Sequence, residues 1–194
     1  MTANTLFYII IAIIVLNFIV DKILDALNAK HYNDELPKDL QDVYDEEEYK
    51  KSQNYKSTNY KFGILTSTFS ILLTLGFLVF DGFEFVDNIA RSYSSNPIIV
   101  ALIFFGIIMI ASDILTTPFS FYSTFVIEEK FGFNKTSKKV FFLDKIKGWL
   151  MLVILVGSIL ALIIWFYQTT GKYFWLYAWG LIALFTIFMN MFYS

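Results

Sequence analysis

Four features of this sequence are of a kind that can do chemistry: the adjacent carboxylates Glu128 and Glu129, the single carboxylate Asp113 inside an apolar run, the single histidine His31, and the sequon Asn134-Lys135-Thr136. Paired carboxylates are the raw material of general acid/base catalysis. Neighbouring residues on a helix do not face each other, however, so Glu128 and Glu129 read as salt-bridging or capping groups. An ionisable residue within a membrane span is a functional candidate by default, which singles out Asp113. It lies about one helical turn before Pro118, so reaching the interface or pairing with a lysine are its bland alternatives. His31 has no second histidine to share a zinc ion with. The chain has no cysteine, which excludes disulfides, thiolate catalysis and cysteine-ligated metals. It also contains no glycine-rich phosphate loop, no HExxH and no nucleophile elbow. On its residues alone, the sequence holds no active site.

The elements that must carry these residues are membrane spans. The 194 residues are 57% hydrophobic and only 16% charged, where soluble domains sit nearer half apolar and a quarter charged. The net charge of −2 suggests no nucleic-acid partner. A bilayer core of about 30 Å takes roughly 20 apolar residues as a helix. Five stretches qualify, at about 4–24, 62–80, 97–117, 148–167 and 173–193. Strand-like alternation is absent, so the fold class is all-α: a polytopic membrane protein of about five transmembrane helices and two amphipathic cytoplasmic loops, 25–61 and 118–147. The first span has no basic leader and is followed by Asp21-Lys22, so it reads as a retained anchor.

Lysine and arginine set the orientation. Lys22, Lys30, Lys38, Lys50, Lys51, Lys56 and Lys61 lie in or beside the first loop, and Lys130, Lys135, Lys138, Lys139, Lys145 and Lys147 in the third. The other two connectors carry Arg91 and Lys172. The positive-inside rule then places both lysine-rich loops and the C-terminus in the cytoplasm, with the N-terminus outside. A cytoplasmic loop is not glycosylated, which discounts the sequon. Trp149, Trp165, Trp175, Tyr167, Tyr173 and Tyr177 mark the ends of the last two spans, whose short connector makes them an antiparallel hairpin. Within the first loop, residues 38–52 read as an amphipathic helix after the break at Pro37. Within the third, Gly132 and Asn134 mark a turn, and 136–147 reads as a basic amphipathic helix.

The third loop is more than a connector. F-V-I-E-E-K-F-G-F-N-K-T, preceded by Pro118-Phe119, Tyr122 and Thr124, and followed by Phe141-Phe142-x-Asp144-x-Ile146-Lys147, resembles the N-terminal membrane domain of the Ste24-type zinc metalloproteases, which include the CAAX prenyl proteases. The resemblance covers essentially the whole chain, with Tyr49-Lys50-Lys51-Ser52 and Tyr55 matching the approach to the second span. It departs at Thr136-Ser137, which sit differently from the family's threonine. It implies a bracing and interface motif made of Phe125, Glu128, Glu129, Phe131, Gly132, Phe133, Asn134, Lys135, Asp144 and Lys147. It implies no catalytic or metal residue here, because the family's HExxH half would follow the fifth span and is missing. Zinc is therefore expected in that missing half. The expected partners are the lipid bilayer, a protease domain in the same or a companion chain, and a prenylated peptide substrate. The sequence then reads as a truncation, a fragmentary gene product, or the membrane half of a protein whose catalytic half is separate.

Two other classes compete with this reading. A non-catalytic membrane scaffold would keep the fold and dock a protein partner. A small transporter would need paired broken helices and an inverted repeat, and neither is visible. The richness in Ile, Lys, Asn and Phe points to an AT-rich bacterial genome, and so to a bacterial plasma membrane.

Overall fold

Apolar runs of this length must satisfy their own backbone in lipid, so helices dominate. The computed structural model describes residues 2–32, 34–36 and 45–192. Helix α1 spans Ala3–Ala29, capped by the Thr2 hydroxyl, which accepts from the Thr5 N–H. Helix α2 spans Glu46–Val79; Asp45 caps it by accepting from the N–H groups of Glu47 and Glu48. Three glutamates in its first turn complement the helix dipole. The amphipathic helix expected over 38–52 is therefore not a separate element. Residues 38–44 lie outside the described residues, and from Glu46 the helix runs straight into the second apolar stretch. The reason is local: no glycine or proline interrupts 46–62.

The connector after α2 holds an element that the apolar-run reading passed over. Asp81 has a positive φ of 54°, a conformation that aspartate tolerates better than most residues. Helix α3, Gly82–Tyr93, follows it. Helix α4 begins at Pro97, where the missing N–H costs nothing. It does not stop at Pro118. Pro97–Tyr122 continues through a π-helical turn, Ser123–Glu128, and a last turn, Glu129–Phe131, making a 35-residue helix. The segment between the third and fourth apolar stretches thus opens as a continuation of α4. Proline removes one backbone donor and strains the helix, which can still propagate by local π adjustment.

Helix α5, Lys138–Met151, starts at the Ser137 cap and passes through a second π-helical segment, Leu152–Val156, into α6, Gly157–Thr170. A tight turn at Gly171, φ 53°, leads through Gly171–Tyr173 to α7, Phe174–Phe192. Helices α6 and α7 pack on each other, with the Phe166 and Tyr177 rings 5.6 Å apart. Among the described residues, four helical stretches are long and apolar enough to cross a membrane: Ala3–Ala29, Glu46–Val79, Pro97–Phe131 and the 54-residue Lys138–Met191. The last contains both final apolar stretches.

The chain falls into two compact units. The first is Met1–Gly82 with Thr117–Lys135, and the second is Phe83–Thr116 with Thr136–Ser194. Among the described residues, the buried apolar side chains are few: Leu36, Val86, Ala90, Val100, Ile127 and Phe131. Leucines, isoleucines and tryptophans of the long helices lie open, including Leu72 at 65% and Leu184 at 69% exposure. So much exposed apolar surface is untenable in water and is what a lipid-facing helix requires.

Candidate functional site

In the first unit the FVIEEKFGFNK motif forms the end of α4. Ile127 and Phe131 are buried and anchor it. Gly132 then takes the left-handed conformation at φ 79°. The Gly132 N–H donates to the Glu129 carbonyl at 3.1 Å and the Phe133 N–H to the Glu128 carbonyl at 2.9 Å. This pair of bonds is the Schellman closure of a helix, and it favours glycine at that position. The Asn134 N–H is a second backbone donor to the Glu128 carbonyl, at 3.3 Å.

Side chains reinforce the cap. Tyr55 of α2 donates its hydroxyl to Glu128 Oε1 at 2.5 Å. Its ring meets Phe131 and Phe133 edge-on, with centroids 5.2 and 5.0 Å apart, an arrangement that aromatic quadrupoles favour. Lys51 Nζ lies 5.9 Å from the Phe133 ring centre. Glu129 points elsewhere, accepting from Asn134 Nδ2 at 2.8 Å. Phe125 packs on Phe121 at 4.6 Å. Glu129, Lys130, Phe133 and Lys135 remain exposed. The two carboxylates therefore diverge, each held by a neutral donor, and the arrangement ties two helices rather than facing a shared substrate. Tyr55 precedes the apolar stretch that starts at residue 62. The hydrogen bond to the Glu128 carboxylate, aided by partial burial, holds its hydroxyl above the usual tyrosine range.

In the second unit Asp113 uses both carboxylate oxygens. Lys145 Nζ of α5 donates to Oδ1 at 2.6 Å, and Trp149 Nε1 donates to Oδ2 at 2.8 Å. The side chains are partly covered, Asp113 32% and Lys145 21% exposed. Two charge-assisted bonds from one carboxylate tie α4 to α5. Asp144 and Lys147 pair with one another at 3.4 Å on the surface, 58% and 71% exposed, where such a pair contributes little. His31 Nδ1 lies 2.8 Å from Asp34, both exposed. Among the described residues, no group of three or more His, Cys, Asp or Glu side chains is placed to hold a metal ion. The described residues therefore do not fit a zinc centre.

Tyr55, Lys145 and Trp149 are the partners that residue-by-residue reading left unassigned. Tyr55 stood in the family-like approach to the second span. Lys145 and Trp149 are four residues apart, hence on one helix face, and a basic residue on the same face as an indole N–H was the available signal.

A family model described as CAAX prenyl protease N-terminal, five membrane helices, matches residues 25–194. The chain belongs to this family. It is 31% identical over 177 residues to a CAAX prenyl protease 1 homolog of Dictyostelium discoideum, covering 89% of this chain and 40% of that protein. It is 35% identical over 166 residues to the homolog of Oryza sativa subsp. japonica, covering 81% of this chain and 39% of the relative. The crystal structure of S. mikatae Ste24p superposes with a TM-score of 0.87 at 28% identity, covering 94% of this chain and 44% of that one. The chain spans about two fifths of the length of these relatives and corresponds to their N-terminal membrane domain. It is an integral membrane protein of a zinc metalloprotease family. The relatives named here are eukaryotic, so they lend no support to the bacterial membrane suggested by composition.

Proposed function

We propose that this chain is the membrane wall of a Ste24-type zinc metalloendopeptidase that cleaves prenylated CAAX-type or other membrane-associated peptides. The zinc would be held by a catalytic part outside this sequence, in the same or a companion chain. The observation that carries the reading is the likeness to Ste24p across 94% of the chain. On this reading the exposed side of the capped motif (Glu129, Lys130, Phe133 and Lys135) braces the zinc-bearing part. The excess of lysine in the first and third loops supports a cytoplasmic location for that motif and for the C-terminus, with the N-terminus outside. A bacterial plasma membrane rests on composition alone.

A chimaera tests the reading. The N-terminal membrane part of the Dictyostelium discoideum relative is replaced by this chain, and the product is assayed on a prenylated CAAX peptide in membranes. Cleavage that is lost on chelation and exceeds that of the catalytic part alone is expected. A chimaera that inserts and folds, yet cleaves no better than the catalytic part alone, overturns the proposal.

A further inference from the structure

The connector between α2 and α4 carries α3, whose side chains sort cleanly. At about 100° per residue, Phe83, Phe85, Val86, Ile89, Ala90 and Tyr93 fall within an arc of roughly 160°. Glu84, Asp87, Asn88, Arg91 and Ser92 fill the opposite arc, where Arg91 Nε donates to Asp87 at 2.6 Å one turn away. The apolar arc is wider than the part the protein covers. Val86 and Ala90 are buried at 4% and 0% exposure, while Phe85 and Tyr93 beside them stand 66% and 77% exposed.

Chain length limits where this face can lie. The helix has 12 residues, about 18 Å, too short to cross a hydrocarbon core of about 30 Å. Helix α2 ends at Val79 and α4 begins at Pro97. At no more than about 3.6 Å per residue, the steps from 79 to 82 and from 93 to 97 span at most about 11 and 14 Å. Both flanking helices are long and apolar enough to cross the membrane. The helix is thus tethered at each end to a place where the chain leaves the hydrocarbon, continuous with a lipid interface already present.

We propose that α3 is an interfacial helix, lying in the headgroup–acyl boundary with Phe85 and Tyr93 inserted and the Glu84–Arg91 face in water. The occupant of the exposed apolar arc is lipid. Asp81, Glu84 and Asp87 outnumber Arg91 in this connector, so apolar burial drives the contact, and anionic headgroups are not required. The proposal is independent of the protease reading.

The cysteine-free chain makes the test clean. Full-length Phe85→Cys, Tyr93→Cys and Glu84→Cys variants, each carrying one nitroxide, are reconstituted in phosphatidylcholine vesicles. Their collision rates with oxygen and with a water-soluble nickel chelate are then measured. The oxygen-to-nickel ratio at positions 85 and 93 is expected to exceed that at 84 by about threefold or more, and to be unchanged when anionic lipid is added. Equal ratios at the three positions would mean the arc faces water. Low collision with both reagents at 85 and 93 would mean that protein covers it. Either result overturns the proposal, and agreement of two labelled positions guards against a local effect of one substitution.

Discussion

Removing the Asp113 carboxylate is the sharpest test of how the second unit holds together. Asp113→Asn keeps the shape and an acceptor for Trp149, but leaves the Lys145 ammonium facing an amide. Breaking one partner of a fully buried ion pair costs about 3–5 kcal/mol, while an exposed pair is worth about 0.2–1 kcal/mol. With 32% and 21% exposure, the Asp113–Lys145 pair lies between these limits, and an expected loss of about 1.5–3 kcal/mol follows. Hydrogen bonds between membrane helices average only about 0.6 kcal/mol in double-mutant cycles, with a maximum near 1.7, so the lower half of that range is favoured. Lys145→Met added to Asp113→Asn removes the stranded charge and should restore part of the loss. The assay is reversible unfolding of the full chain in mixed micelles, run as a double-mutant cycle. A coupling of about 1–2 kcal/mol between positions 113 and 145 is expected. Additive single effects, with coupling below about 0.3 kcal/mol, would show that the tie seen in the structure does not hold α4 to α5.

Gly132→Ala meets no steric obstacle, since nothing lies within 4 Å of the added methyl, so its cost is the left-handed backbone alone, about 1–2 kcal/mol of stability. Gly132→Asn should recover most of this in the same unfolding assay, because asparagine tolerates that conformation. Tyr55→Phe removes the hydroxyl that binds Glu128 and should cost about 1 kcal/mol near neutral pH. The Tyr55 pKa is raised in the folded state, so the folded protein holds this proton more tightly than the unfolded one. The stability difference between wild type and Tyr55→Phe should therefore be full below the ordinary tyrosine value of about 10 and shrink as pH rises through the folded value. Measured unfolding at a series of alkaline pH values would contradict this if the gap widened. For orientation, Ser137→Cys and Ser92→Cys should react with a membrane-impermeant maleimide from opposite sides of sealed vesicles. Peptidase activity of this chain alone with added zinc should be nil, and zinc-dependent cleavage would refute the assignment of the metal to another part.

Legibility in the sequence followed the range of each interaction. Apolar length alone marked the membrane helices, because lipid leaves the backbone no other regular option there. The helices run past those apolar stretches. The third stretch ends before Pro118, and α4 absorbs that proline and continues to Phe131 through a π-helical turn. Residues 38–52 read as a separate amphipathic helix, but polarity without a glycine or proline does not end a helix, and the chain from Glu46 runs unbroken into the second apolar stretch. Helix α3 was legible in the 3.6-residue spacing of Val86, Ile89, Ala90 and Tyr93, and was passed over because a connector of that length was read by its charges. The ties themselves were out of reach. Tyr55 and Glu128 are 73 residues apart, and Asp113 and Trp149 are 36 apart. A local pattern marks at most one side of such a pair, as Lys145 and Trp149 on one helix face do, and the family-like motif marked the region around Glu128.

That specification has a physical content which the geometry makes explicit. Glu128 is engaged twice, its carbonyl closing the helix and its carboxylate holding Tyr55. Glu129 differs by one position and has a different task, holding Asn134. Their tasks follow from position alone: the Schellman closure fixes which carbonyl is bonded, and the helix turn fixes which side chain faces α2. Gly132 is required by backbone sign, and Phe131 and Phe133 flank Tyr55 from both sides of that glycine. Even with these internal contacts, Glu129, Lys130, Phe133 and Lys135 stay exposed. The proposed bracing role must therefore act through those four. Surface substitutions there, such as Lys130→Ala with Lys135→Ala, should lower cleavage by the chimaera while leaving unfolding of this chain unchanged, whereas Tyr55→Phe should lower both.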